Sequence, residues 1–372
     1  MPNTFITLQE IARQALPRLI ENLVMPNLCY RDFSDTFSSQ LGDTIQVRKP
    51  VVLTASDFTV GSTISAQDMT ESTVAVKLDK IATVDVEASA IETAVNINDL
   101  NRVFVEPAAV ALAEKINADG LALYAQVPTG VDCSSKNLAA LAAVRKQLNI
   151  QKVPVAGRVA IWNPDADAAF MTLDAIVHAE KSGTTQALRE GSIGRIYGMD
   201  NYMAQGIKTH TNGAGLTTAT AVKVNGLTAK GATTLSIDGT ALTGKLKAGD
   251  VLAIGDYKYT VTEDTADAAT NAIATVKIWP AVQAQISDNA DVTISGSYAA
   301  NLAFHPMAFA YVTRPLYNPD GEGVASYVTS YNGISLRVTK GYNQTYKKSV
   351  YSMDVLYGYK CVYPELATRC MG

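Results

Sequence analysis

The sequence is poor in charged side chains. Asp, Glu, Lys and Arg make up 18% of its 372 residues, against about 25% in an ordinary soluble domain. Hydrophobic residues reach 47%, which excludes a disordered chain. The low charge indicates that part of the surface contacts other protein. The 31 basic and 35 acidic side chains leave a net charge of −4, which excludes a protein that coats nucleic acid by bulk electrostatics.

Segments that would direct the chain to or through a membrane are also lacking. No run of 18 apolar residues occurs, so we expect no membrane-spanning helix and no membrane partner. The N-terminus has neither a basic start nor a continuous apolar stretch, and we expect no signal peptide. The cysteines show no CxxC spacing, which predicts reduced and unreactive thiols; they are Cys29, Cys133, Cys361 and Cys370.

Motifs that carry catalysis are missing as well. The three histidines (His178, His210 and His305) are scattered and form no HExxH pair, and no GxSxG elbow is present. Gly239–Lys245 has the spacing of a phosphate loop, but Leu246 stands where Ser or Thr would ligate magnesium. We therefore expect no enzyme and no catalytic, cofactor-binding or metal site. A Ser-His-Asp site whose members meet only in space stays open, so a hydrolase with a β accessory domain is kept as an alternative.

The N-terminal segment predicts an amphipathic helix. Thr7–Glu10 fits a capping box, and apolar residues then follow at helical spacing up to Leu23. Pro17 is predicted to kink or break the helix. The apolar stripe has to be buried, either by its own domain or by a neighbouring subunit. The residues we predict to form assembly contacts are Leu8, Ile11 and Leu19 in this arm, with Phe58 and Met69 in the segment that follows.

Alternating apolar and polar residues then predict strands at Thr44–Arg48, Ser72–Asp79 and Ala82–Glu87. A long polar stretch separates the first strand from the second. Because an isolated hairpin is marginal in water, this excursion needs a partner surface, which could belong to another chain.

Three helices and a buried strand are predicted next. The helices are expected to start at Pro107, after Ser135 as N-cap, and at Pro164 after Asn163 as N-cap. The predicted ranges are 107–124, 136–148 and 165–180, with the strand at Arg158–Trp162 between the last two.

From Lys208 to Ser297, Thr, Ala and Gly dominate and Phe is absent. Short strands between Gly-rich turns predict a small barrel or sandwich inserted in the chain; they are expected at 234–237, 251–254, 257–262, 274–279 and 292–294. After it we expect a short helix through Ala308–Ala310. Strands rich in tyrosine follow at 335–338, 342–346 and 349–359. The 17 tyrosines serve either strand packing or a subunit interface.

This order of parts, with two local stretches, resembles the major capsid (coat) proteins of tailed double-stranded-DNA bacteriophages. The stretches are Leu188–Asp200 and Asn301–Phe309; the branch resembled is the short-tailed phage type with an extra insertion. The resemblance implies an α+β fold with an inserted all-β domain. Its implied parts are an N-terminal arm (1–40), an extended loop (41–95), a spine helix with peripheral domain (96–130), an axial domain (131–207), the β insertion (208–297) and an axial and peripheral return (298–372).

The resemblance also implies a function. Subunits would form hexamers and pentamers that close into an icosahedral capsid, with the extended loop lapping over the adjacent subunit. Expected partners are further copies of the chain, a scaffolding protein, a portal protein and packaged DNA bound without sequence specificity. The expected location is the virion, after assembly in the host bacterial cytoplasm. A phage tail or other self-assembling protein is the structural alternative.

Overall fold

The computed structural model describes residues 8–31, 44–48, 73–89, 105–178, 189–213, 220–319, 324–331, 333–343, 345 and 348–372. The chain divides into two compact units. The first consists of Met1–Asn22, Tyr30–Ala113 and Phe309–Tyr363, and the second of Leu23–Cys29, Glu114–Ala308 and Pro364–Gly372. In both units, therefore, distant parts of the sequence come together.

The helices of the described residues are short, apart from three of 13 to 16 residues. They are α1 (Leu8–Asn22), α2 (Met25–Leu28), α3 (Glu106–Leu121), α4 (Leu138–Ile150), α5 (Pro164–Met171) and α6 (Asp174–Val177), with 3₁₀ turns at Ala122–Gln126, Pro306–Ala308 and Pro364–Leu366. Among these residues, no helix has the length and apolar character needed to cross a membrane.

Strands account for most of the remaining regular structure. They are β1 (Thr44–Arg48), β2 (Thr73–Lys77), β3 (Lys80–Ser89), β4 (Gly130–Asp132), β5 (Arg158–Trp162), β6 (Arg195–Ile196), β7 (Met199–Met203), β8 (Thr209–His210), β9 (Thr220–Val224), β10 (Thr234–Thr240), β11 (Val251–Ile254), β12 (Tyr257–Val261), β13 (Ala272–Trp279), β14 (Val292–Ile294), β15 (Tyr298–Phe304), β16 (Phe309–Arg314), β17 (Ala325–Tyr331), β18 (Ile334–Asn343), β19 (Lys348–Cys361) and β20 (Ala367–Met371).

The first unit is built on a five-stranded antiparallel sheet. Strands β16, β19, β18 and β17 are neighbours in that order, and β3 pairs with β19 along its whole length. Helix α1 packs on β17 and β18. The predicted break at Pro17 is wrong, because α1 continues through it to Asn22. Ile11 and Leu19, on either side of the proline, are both buried, and this packing holds the two halves in one helix.

The second unit contains a seven-stranded mixed sheet. Its order is β4-β20-β15-β5-β7-β6, with β8 added on β15. The five residues of β5 are all buried, as expected for a central strand covered on both faces. Helices α4 and α5 contribute Leu141, Val144, Leu148 and Phe170 to the core that includes Trp162 of β5.

A six-stranded antiparallel sheet, in the order β14-β11-β12-β13-β10-β9, completes the second unit. It has a core cluster of its own made of Val, Leu, Ile and Tyr side chains. The predicted strands at 234–237, 251–254, 257–262, 274–279 and 292–294 are all found, with ends shifted by up to three residues. Strand β9 was not predicted. Its few apolar residues gain strand structure from pairing with β10.

Two helices have a boundary that differs from the prediction. Helix α4 is capped by Asn137 rather than Ser135, because the Asn137 side chain accepts the Ala140 N–H at 2.9 Å. The helix predicted over 165–180 ends at Met171 and is followed by the separate α6. Leu173 between them is extended. The N-cap at Asn163 is confirmed, since its side chain accepts the Ala166 N–H.

The C-terminal third also differs in two places. The helix predicted through Ala308–Ala310 is a single 3₁₀ turn that ends at Ala308. Phe309 and Ala310 belong to β16 instead, since pairing with β19 overrides the local pattern. The separate strand predicted at 342–346 is wrong at its start, because Tyr342 lies near the end of β18. Gln344 and Tyr346 lie outside the described residues.

Candidate assembly surfaces

The residues predicted as assembly contacts fall into two groups. Ile11 and Leu19 are 1% and 0% exposed on α1, which packs on β17 and β18 of the same chain. This packing gives the apolar stripe of the arm a partner in its own unit. The Leu8 side chain, Phe58 and Met69 lie outside the described residues. A contact of these five residues with a neighbouring subunit stays a prediction.

The base of the predicted extended loop is a two-stranded hairpin. Strands β1 and β2 pair antiparallel over five residues each. Val47 and Val76 point into a core with residues of β16 and β19, among them Val312 and Leu356. The described base of the hairpin thus has its partner surface in the same chain, whereas residues 49–72 lie outside the described part.

Strand β3 presents an edge of the first unit's sheet. In the described residues it pairs with β19 and with no second strand. Ile81 and Val86 are 45% and 40% exposed, and Glu87 forms an ion pair with Lys348 at 2.8 Å across the pair of strands. A long strand with exposed apolar side chains, whose other edge meets no further strand among the described residues, is a template for contact with another chain.

A shallow groove lies along α4 in the second unit. Its volume is about 580 Å³, and Arg145, Lys146, Ile150 and Tyr197 are among its lining residues. The Arg145 guanidinium donates to the Tyr197 carbonyl at 3.0 Å, which ties the helix to the β6–β7 turn. Ile150 is 63% exposed. The groove therefore joins apolar and basic side chains on one open surface, as interface patches with a polar rim do.

The tyrosines divide between the two roles considered for them. Several are buried in strands, such as Tyr259, Tyr311 and Tyr357. Others are exposed large side chains at strand ends and turns, where the aromatic ring offers contact area to a partner; they are Tyr197, Tyr202, Tyr257, Tyr317, Tyr331 and Tyr342.

The structure shows the local contacts of the motifs and titratable residues that were considered as chemical sites. The phosphate-loop near-match leads into a turn before β11 and not into a helix. His178 pairs with Asp174 one helical turn away at 2.8 Å. Burial lowers the pKa of His305 and raises that of Asp167 in the first turn of α5. Within the described part of the chain, no three His, Cys, Asp or Glu side chains are grouped to hold a metal ion.

One polar cluster of the second unit was not found from the sequence. Arg369 and Asp250 are 0% exposed and His210 is 3% exposed. Their positions in the chain are far apart, and no motif links them. The only sequence signals available were a charged residue inside the apolar strand β20 and a Gly-Asp turn before β11.

Comparison with known proteins identifies the architecture. Neither a family model nor a curated protein sequence matches the chain. Solved structures do. That of Mycobacterium phage Che8 aligns over 94% of this chain and 90% of its own, with a TM-score of 0.55 and 16% identity. The chain has the fold of tailed-phage capsid proteins.

Two further capsid structures align over 94% of the chain with lower scores. The capsid of Cyanophage P-SCSP1u gives a TM-score of 0.49 at 12% identity over 88% of its own chain. The mature capsid of bacteriophage PhiM1 gives 0.49 at 9% identity over 86%. The predicted fold class, α+β with the tailed-phage capsid fold, is confirmed. The separate status of the β insertion and the predicted domain boundaries stay predictions.

Proposed function

We propose that this protein is a major capsid protein that self-assembles into the shell of a tailed bacteriophage. The observation that carries the proposal is the capsid fold itself, which the Che8 structure shares over 94% of this chain. The exposed β3 edge and the groove along α4 support it, since a subunit that assembles needs open surfaces of this kind. The role is structural and not enzymatic.

The proposal extends to finer features of assembly. Hexamers and pentamers of the chain would close an icosahedral shell around double-stranded DNA in the virion. A scaffolding protein would direct assembly in the host bacterial cytoplasm, and a portal protein would occupy one vertex. The six-stranded sheet, built on residues 220–294, would act as an inserted domain with its own core.

The first experiment is assembly of the purified chain. Negative-stain electron microscopy and sedimentation velocity are expected to show closed shells, or shells once the phage's scaffolding protein is co-expressed. Many weak contacts repeated over a lattice produce such particles, because each contact is too small to trap errors. Tubes would favour a tail protein. Monomers or dimers that persist with the scaffolding protein present would contradict the proposal.

Contact with DNA is expected to be weak. The net charge is −4, and a shell wall that held the genome tightly would hinder packaging and ejection. In fluorescence anisotropy with a labelled 30-base-pair duplex at about 150 mM salt, we expect dissociation constants above about 10 μM. A basic duplex-binding domain of similar size is the positive control. Binding in the nanomolar range would contradict a passive wall.

A further inference from the structure

Arg369 of β20 forms the centre of a buried polar network. Its Nη1 donates to the Gly249 carbonyl and to the Tyr298 hydroxyl, both at 2.6 Å, and its Nη2 donates to the Thr260 hydroxyl at 2.7 Å. The guanidinium carbon lies 5.9 Å from the centre of the Tyr298 ring. The Tyr298 hydroxyl donates in turn to the Gly249 carbonyl at 2.9 Å. Gly249 and Thr260 of the six-stranded sheet region thus bind the guanidinium of Arg369, which belongs to the seven-stranded sheet.

Asp250 supplies the opposite charge. Its Oδ2 accepts the Lys247 N–H at 2.8 Å, and its Oδ1 lies 2.7 Å from His210 Nε2. The other ring nitrogen of His210 lies 3.0 Å from the Tyr124 hydroxyl. With a proton on Nε2, the imidazole donates to Asp250 and accepts from Tyr124, so both hydrogen bonds form with a neutral ring. Burial raises the pKa of Tyr298 to about 12, so the phenol stays a donor.

Gly249 shows how closely the network is packed. Its φ of +105° lies in a region that side chains rarely adopt. A Cβ at this position would lie 3.1 Å from His210 Cε1 and 3.2 Å from Arg369 Nη1. The backbone turn before β11 therefore passes directly between the histidine and the arginine, and only glycine fits there.

The members of this network come from five separate stretches of chain. Tyr124 follows α3, His210 ends β8, Gly249 to Thr260 belong to the region of β11 and β12, Tyr298 begins β15, and Arg369 lies in β20. His210 is the last residue of β8 before the chain enters the six-stranded sheet, and Tyr298 is the first residue of β15 after the chain leaves it. The two residues pair across β8 and β15. The network therefore sits where the chain enters and leaves the six-stranded sheet.

We infer that this network, defined as Tyr124, His210, Gly249, Asp250, Thr260, Tyr298 and Arg369, is the joint that fixes the six-stranded sheet in one orientation on the C-terminal strand. It acts on shell assembly through that orientation and not through the stability of either sheet. The effect on shell assembly rests on the proposed function, whereas the joint between the two sheets does not depend on it.

The physical argument concerns specificity. Burying charged groups costs solvation that their attraction only partly returns, so apolar packing at this place would serve stability as well. Hydrogen bonds are directional and form in one relative orientation of their partners, whereas apolar contacts tolerate several orientations. Arg369 meets its three acceptors at 2.6 to 2.7 Å. Two of them, Gly249 and Thr260, belong to the six-stranded sheet region, so a rotated sheet would deprive the buried guanidinium of both. A lattice subunit whose sheet rotates would present varying surfaces to its neighbours.

The test removes one acceptor with little change of shape. Thr260→Val deletes the hydroxyl that meets Arg369 Nη2, and Thr260→Ser is the matched control that keeps it. Hydrogen exchange followed by mass spectrometry or NMR measures the opening of individual backbone amides, both at the network and inside the six-stranded sheet. The amides of Gly249 and Ala300, which bond to Val261 and Lys208, are expected to exchange about ten-fold faster in Thr260→Val. The amide of Ile278, bonded to Thr233 within the sheet, is expected to change less than about three-fold.

Two results of the exchange experiment would overturn the inference. Equal acceleration at the amides of Gly249, Ala300 and Ile278 would show that the substitution lowers the stability of the whole region and loosens no particular joint. No acceleration at any of them would show that the hydrogen bond does not hold the two sheets together. If Thr260→Val does not fold, Tyr298→Phe replaces it, since that change removes only the hydroxyl between Arg369 and Gly249.

Particle diameters test the link to assembly. Shells of the Thr260→Ser variant are expected to match the unmodified chain, and shells of Thr260→Val are expected to spread over several diameters. Val276→Ala, a cavity in the core of the six-stranded sheet, controls for stability; the same spread in this variant would overturn the role of orientation. If the unmodified chain forms no shells with its scaffolding protein, the proposed function fails, while the exchange data still decide the joint.

Discussion

Gly358→Ala is expected to destabilise the first unit by about 3 kcal/mol or to prevent its folding. Gly358 lies on β19, where the end of β2 crosses it. A Cβ at this position would overlap the Lys77 carbonyl oxygen and lie 3.2 Å from the Leu78 Cα. Both obstacles are backbone, so no side chain can rotate away. The hairpin would have to lift, which would uncover Val76 and Leu78, both 0% exposed.

Gly341→Ala is the matched control for that change. Gly341 lies on β18 of the same sheet and pairs with Val350, and a Cβ there meets nothing within 4 Å. We expect its free energy of unfolding to change by less than about 0.5 kcal/mol. Urea unfolding followed by circular dichroism measures both variants. Equal midpoints for Gly358→Ala and Gly341→Ala would show that the hairpin does not rest on β19.

Features coded by neighbouring residues were predictable. The Asn163-Pro164 pair marks the start of α5 because one side chain caps the backbone and the next residue fits the first helical turn. The alternation in Thr44–Arg48 and the short apolar run of Arg158–Trp162 matched β1 and β5 residue by residue. Each of these signals needs only a few residues, and the structure contains each of them.

Features decided by distant residues were not predictable. Asn137 and Ser135 both suit an N-cap, and only the geometry of the helix chooses Asn137. Phe309 follows a helical pattern, yet its pairing with the distant Cys361 places it in a strand. The Arg369 network joins residues as far apart as Tyr124 and Arg369, which are 245 positions apart, so no local spacing encodes it. The open surfaces could be expected from low charge but not located.

Trp162→Ala is expected to cost the second unit about 4 kcal/mol. Trp162 is 0% exposed and meets the Phe170 ring edge-on, with centroids 4.9 Å apart. Its Nε1 donates to the Asn201 side chain at 2.9 Å, and Asn201 donates to the Gly194 carbonyl at 2.9 Å. Removing the indole thus leaves a cavity between β5 and α5 and takes from the Asn201 side chain its hydrogen-bond donor. Since whole domains are stable by about 5–15 kcal/mol, the loss is a large share of the total.

Trp162→Phe separates packing from the hydrogen bond. The phenyl ring keeps most of the contact with Phe170, while Asn201 loses its donor, so we expect a cost of about 1–2 kcal/mol. Trp279 then remains as the fluorescent reporter of unfolding, because the chain has two tryptophans. A smaller loss for Trp162→Ala than for Trp162→Phe would mean that the core closes around the deletion. The expected order, with the alanine variant much less stable than the phenylalanine variant, requires that β5 and α5 hold the indole in a fixed site.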